Sequence, residues 1–90
     1  MGKIMINVTM YGSQGCGYCQ SAERLLNRKG VAQINKILVD QVPGARETMI
    51  NKTGRRTVPQ IYFGELHLGG FDDLAALEKA GKLDALLVGL

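Results

Sequence analysis

Two cysteines are all that this chain of 90 residues contains, and they stand close together in Gly15-Cys16-Gly17-Tyr18-Cys19. A C-x-x-C pair serves zinc sites and haem attachment as well as redox chemistry, so its surroundings decide the reading. The apolar, β-branched run from Ile4 to Met10 ends just before the pair, and a helical pattern begins just after it. That places Cys16 at a strand-to-helix turn, close to the helix N-terminus. Unpaired backbone amides and the positive end of the helix dipole then face its sulfur and favour the thiolate. Cys19 falls one helical turn later, within bridging reach, as a resolving partner to a nucleophile.

Composition narrows the class further. Ninety residues suffice for one modest core, so a single domain over residues 1–90 is expected. A hydrophobic content of 46% with 21% charged residues is that of an ordinary globular chain. No apolar run is long enough to cross a bilayer, and the N-terminus lacks a basic head followed by an apolar stretch. Gly2 invites myristoylation, but Ile6 stands where that motif needs Ser or Thr. The expected location is therefore cytoplasmic, without membrane contact. In that compartment a lone C-x-x-C serves redox or metal chemistry more often than structural bridging. A net charge of +3 fits attraction of anionic small molecules or acidic protein tails, or simply a mildly basic surface. Nucleic-acid binding is not expected, because no basic run or basic strand with interleaved aromatics is present.

Taken in order, the chain shows no repeat, linker or low-complexity tract. Ile4, Ile6, Val8 and Met10 alternate with Met5, Asn7 and Thr9, as in a strand with one buried face. Gly12 to Gly15 reads as a loop. From Gly17 to Lys29, Ala22, Leu25 and Leu26 share one helical face with Glu23, Arg24 and Arg28 outside it, and Gly30 closes the helix. Ile34 to Val39 reads as a short buried strand, parallel to the first through a right-handed crossover. Pro43 suits a first helical turn, and Ala45, Met49 and Ile50 form a stripe ending at Gly54. Pro59 to Phe63 and Leu66 to Leu68 make a hairpin about Gly64-Glu65. Asp72 or Asp73 can cap a helix carrying Leu74, Ala75, Leu77 and Glu78, with a short helical turn from Lys82 to Val88. The sum is β-α-β-α-β-β-α, an α/β chain built on a four-stranded mixed β-sheet with helices on both faces.

That order, with C-x-x-C after the first strand, is similar to the thioredoxin fold. The finer resemblance is to small bacterial-type dithiol glutaredoxins and covers nearly the whole chain. It rests on Tyr11 ending the first strand, Cys16-Gly17-Tyr18-Cys19, Thr57-Val58-Pro59 and Gly69-Gly70-Phe71-Asp72-Asp73. The resemblance implies glutathione-dependent thiol–disulfide exchange, with Cys16 as nucleophile and Cys19 as resolving thiol. Glutathione is then a co-substrate, and no tightly bound cofactor is expected. The Val58–Pro59 bond is cis in the family, and the residue at Val58 pairs its backbone with the glutathione cysteine. Asp72, with the Phe71–Asp72 backbone and Gly70 before it, would hold the γ-glutamyl end. Arg46 stands where a basic or amide side chain reaches the glycyl carboxylate, Thr57 opens the cis-proline turn, and Tyr18 packs over the ligand. Protein disulfides and glutathionylated proteins, ribonucleotide reductase among them, are the family's partners, and a monomer is expected. Taken by themselves, Pro59 is a strand-start proline and Asp72 a helix cap.

The chain departs from the family at three places. Gly17 replaces the usual proline, Ser13 stands where a lysine is common, and Gln20, Ser21, Ala22 and Glu23 follow where basic residues are frequent. A loop with less positive charge implies weaker binding of glutathione's carboxylates than in a lysine-bearing relative.

Other readings remain open from the sequence. A [2Fe–2S] cluster shared between two subunits, with Cys16 and glutathione as ligands, suits a site without proline, although such carriers usually lack the second cysteine. A redoxin reduced directly by a flavoprotein reductase shares the fold, but not the γ-glutamyl run. Zinc within one chain lacks ligands, since only His67 joins the cysteines and it reads as a surface or satisfied histidine. Phe71 reads as packing under the last helix, Arg55-Arg56 as a solvated turn, and Met5, Met10 and Met49 as core fillers.

Overall fold

The computed structural model describes residues 6–88. The strands are β1 (Val8–Gly12), β2 (Asn35–Leu38), β3 (Gln60–Phe63) and β4 (Leu66–Gly69). Interleaved with them are the helices α1 (Gly17–Arg28), α2 (Ala45–Thr53), α3 (Phe71–Lys79) and α4 (Leu83–Leu87). One mixed sheet results, ordered β2-β1-β3-β4, with β1 parallel to β2 and antiparallel to β3. The hairpin β3–β4 turns at Gly64-Glu65, with a register irregularity between Ile61 and Tyr62.

Alternation along the two central strands divides the core. Val8, Met10, Ile61 and Phe63 face α1, α3 and α4 and bury Ala22, Leu25, Leu26, Leu74, Leu83 and Leu87. Tyr11 and Tyr62 face the other way, onto Ala45 and Met49 of α2 and onto Val39. Each fully buried large side chain contributes about 1.5–3 kcal/mol. Both central strands therefore have two covered faces, and together they fix where the chain enters the C-x-x-C turn. Among the described residues no helix is long and apolar enough to cross a membrane.

Several elements differ from the sequence reading. The first strand runs later, to Gly12, because Tyr11 and Gly12 pair with Ile37 and Leu38. Ile4 and Met5 lie outside the described residues, and Met10 and Met49 are buried in the core. The second strand is not buried: it is a sheet edge, with Asn35 and Lys36 exposed and Ile37 and Leu38 half-buried. Pro43 stands outside α2, whose N-cap is Gly44, so the helix starts later than a first-turn proline implies. Asp73, rather than Asp72, closes the α3 N-terminus by accepting the Gly70 N–H at 2.9 Å.

Lys29, at the end of α1, ties the helical layer together through Glu78 of α3 at 3.0 Å and Asp84 of α4 at 2.8 Å. Hydrogen bonds from the Lys29 ammonium to Asp84, then to Glu78, raise its pKa. A raised pKa adds stability in full below the ordinary lysine range, and that stability is lost as pH rises through the folded-state value. Lys29→Met should therefore lower the melting temperature at pH 7. Thermal melts of both proteins should converge above the lysine range.

Candidate active site

Cys16 is the N-cap of α1, with extended backbone angles (φ −82°, ψ 111°). Its sulfur takes the place of a capping oxygen: the Cys19 N–H donates to Sγ at 3.2 Å. One orphan amide of the first turn thus points at the sulfur, a geometry that supports negative charge there. Cys16 itself is half-exposed, whereas Cys19 is buried. Burial, and then the hydrogen bond to Cys16, push the Cys19 thiol up to about 12. The two sulfurs are chemically unequal: one is accessible and capped by an amide, the other held as a protonated thiol. Gly12 makes room for that second sulfur, since a Cβ there would lie 3.2 Å from Cys19 Sγ.

The loop before Cys16 is anchored from another element. The Gln14 N–H donates to both carboxylate oxygens of Asp40, at 3.2 and 3.4 Å, and the Gln41 side-chain amide donates to the Gln14 side chain at 3.2 Å. Sequence reasoning missed Asp40, because its partner lies 26 residues away and no local pattern joins them.

Opposite the sulfur lies the turn before β3. The Val58–Pro59 bond is cis, and the Val58 carbonyl oxygen is 4.0 Å from Cys16 Sγ. Below it, Gln60 is wholly buried, and its side chain is used at both ends. Nε2 donates to the Thr57 carbonyl at 2.9 Å and to its hydroxyl at 3.3 Å, while Oε1 faces His67 Nε2 at 2.7 Å. His67 must therefore carry its proton on Nε2. Its ring also packs against Tyr62, with centroids 5.0 Å apart. Burial, and then the nearby Arg55 charge, lower its pKa. Gln60 gave no signal in the sequence beyond a polar residue in an apolar strand.

The α3 N-terminus completes the surroundings. Arg55 is exposed in its turn, as expected, and has a partner the sequence did not reveal: its Nη1 pairs with Asp73 Oδ2 at 3.0 Å. The Gly70 N–H, then Arg55, hold the Asp73 carboxyl below the usual carboxylate range. A side chain at Gly69 (φ 118°) would run into that carboxylate, so glycine is required there. Gly70 spends its N–H on Asp73 and its carbonyl on the Leu74 amide, 3.1 Å away. Its role here is that of a cap. Asp72 stays exposed in the first turn, beside Phe71. Phe71 does more than pack inward, because Tyr18, 66% exposed, stacks on it with ring centroids 6.2 Å apart. Arg46 lies exposed in the first turn of α2 and makes no ion pair among the described residues. Among those residues, no three His, Cys, Asp or Glu side chains converge as a metal site would need.

Comparison with known proteins agrees with this geometry. The family model described as glutaredoxin matches residues 8–68. A glutaredoxin of Pseudomonas aeruginosa is 52% identical over 80 residues, covering 89% of this chain and 94% of the relative. Glutaredoxin 3 of Escherichia coli is 46% identical over 83 residues, covering 92% and 99%. Among solved structures, the glutaredoxin of Brucella melitensis superposes with a TM-score of 0.81 at 47% identity, covering 98% and 96%. A buckwheat glutaredoxin–glutathione complex does so with 0.83 at 29% identity, covering 93% and 78%.

Three outcomes follow from the site. Iodoacetamide at pH 7.5 should label Cys16 and leave Cys19 untouched, as peptide mass mapping will show. In Cys16→Ser, labelling of Cys19 should begin only well above the ordinary thiol range, since burial is the larger cause of its shift. Replacing Gln60 by Leu leaves the Thr57 carbonyl and His67 without their partner, and should cost about 1–3 kcal/mol in urea unfolding.

Proposed function

This chain belongs to the glutaredoxin family, and from that membership as a thiol–disulfide oxidoreductase we propose that it spends glutathione to reduce its targets. The substrates are glutathione mixed disulfides and protein disulfides in a reducing, cytoplasmic setting. The single observation that carries this reading is the half-exposed Cys16 sulfur at the start of α1, 4.0 Å from the Val58 carbonyl. An extended peptide bearing a cysteine, laid along the Thr57-Val58-Pro59 turn, would bring its own sulfur to Cys16. The buckwheat complex with glutathione supports that ligand class.

With a glutathionylated protein, the Cys16 thiolate attacks the glutathione sulfur. A Cys16–glutathione disulfide forms, and the protein leaves as a thiolate that takes up a proton. A second glutathione thiolate then attacks the glutathione-borne sulfur, yielding oxidised glutathione and restoring Cys16. One free glutathione is consumed per turn: its thiol is oxidised as the protein sulfur is reduced, and the substrate's own glutathione leaves in the oxidised pair. With a protein disulfide, Cys16 forms a mixed disulfide to the target. Cys19 then loses its proton and attacks the Cys16 sulfur, which frees the target's second thiol, and two glutathiones reopen the Cys16–Cys19 bridge. Burial of Cys19 and its raised pKa keep it from competing for the target disulfide in the first step.

The remaining residues take supporting parts in this reading. Asp72 and the amides of Phe71 and Asp72 at the α3 N-terminus receive the γ-glutamyl group, with Gly70 as the cap behind them. Arg46 offers a cation to the glycyl carboxylate, and Tyr18 covers the bound tripeptide.

Hydroxyethyl disulfide reduction, coupled to glutathione, glutathione reductase and NADPH, tests the proposal. Cys16→Ser should abolish turnover, and Cys19→Ser should keep roughly half or more of it, because small mixed disulfides need no resolving thiol. Activity in Cys16→Ser, or equal turnover with thioredoxin reductase replacing the glutathione system, would count against the proposal.

A further inference from the structure

A groove of about 670 Å³ opens between α1 and α3, away from the Val58 side of the sulfur. Half-buried Phe71 and Ala75 line its apolar wall over the buried Leu25, and Arg24, Arg28 and Lys79 stand exposed on its rim. None of these cations meets a carboxylate among the described residues, whereas Lys29, Lys36 and Arg55 each do. Arg24 reaches only the Ser21 hydroxyl, at 3.5 Å. The one acidic side chain along the groove, Glu78, is occupied by Lys29 at 3.0 Å. At its Phe71 end the groove meets Tyr18, which stacks on Phe71 and sits between the two cysteines.

We propose that this groove docks an acidic, apolar segment of a disulfide-bearing protein, next to the cysteine that Cys16 attacks. The inference rests on the thiol–disulfide reading above and adds the class of partner. An apolar wall needs Leu- or Val-like side chains to cover it, and an unpaired basic rim needs carboxylates. A polyanion such as a nucleic acid would satisfy the rim and leave the wall bare. The chemistry is that of the dithiol route: the docked disulfide is reduced, Cys16 and Cys19 are oxidised to their bridge, and glutathione returns the two electrons. Docking changes the rate of encounter with Cys16 and leaves the exchange itself unaltered.

Two disulfide-cyclised peptides of equal length provide the test, one flanked by Leu and Glu and the other by Leu and Lys. At low salt the acidic peptide should show roughly tenfold higher kcat/KM, and the gap should close near 0.5 M salt as screening shortens the field. Arg24→Glu combined with Arg28→Glu should erase or invert the preference while hydroxyethyl disulfide turnover stays within about twofold, since exposed charges act on encounter more than on chemistry. Equal kcat/KM for the two peptides, or a preference indifferent to salt and to the double substitution, overturns the proposal.

A cysteine-free version of the acidic peptide, titrated against the wild type by NMR, judges the groove without any turnover. Amide shifts at Leu25, Arg28, Phe71 and Ala75 support it. Shifts confined to other faces, or tighter binding of an oligonucleotide of equal charge, refute it. A wild type inactive toward hydroxyethyl disulfide would instead remove the glutathione reading and leave this titration standing.

Discussion

The hydrogen bond from the Cys19 amide to the Cys16 sulfur is where fold and chemistry meet. Helix α1 needs an acceptor for its orphan amides, and the Cys16 sulfur supplies it. The same contact orients the sulfur, because a capping side chain must turn back over its own first turn. It also places Cys19 on the inward face, where Ala22, Leu25 and Leu26 continue the buried stripe. The asymmetry between an open and a closed thiol is thus a property of helix periodicity. No neighbouring base is required to produce it.

Keeping that sulfur useful depends on the opposite wall, and polar side chains, buried Gln60 first among them, hold the wall. Gln60 grips Thr57 from below while His67 fixes Gln60. Arg55 and Asp73 lock the adjoining Gly69-Gly70 corner to α3. A buried amide with all its partners in place tolerates little displacement, since moving any one of them exposes a desolvated donor or acceptor. The Thr57-Val58-Pro59 turn is therefore carried by β3 and β4 as much as by its own proline. Asp40 performs the corresponding service for the loop on the other side, through the Gln14 amide.

The basic, apolar groove between α1 and α3 extends this picture from chemistry to selection. A protein disulfide brings a surface with it, and the α1–α3 groove carries cations that meet no carboxylate among the described residues. The mildly basic net charge of the chain thus resolves into cations spent on internal pairs and cations left facing outward. Generic electrostatics becomes position-specific only once α1 and α3 lie side by side.

Local chemistry alone settled a good deal. The cysteine spacing after an apolar run, the turn at Gly64-Glu65, the αL cap at Gly54 and the stripe on α1 are all readable because each depends on residues within a turn or two of one another. The family likeness joined the cysteine motif to Tyr11 and to two further short runs, Thr57-Val58-Pro59 and Gly69-Gly70-Phe71-Asp72-Asp73. Tertiary structure decided what sequence distance conceals. It made β2 an exposed edge and extended β1 to Gly12 through pairing with Leu38. It gave the exposed Arg55 a partner in Asp73, and it buried Gln60 between Thr57 and His67. Those outcomes depend on which strands and helices become neighbours, and a polar side chain reveals its partner only after the chain has closed around it.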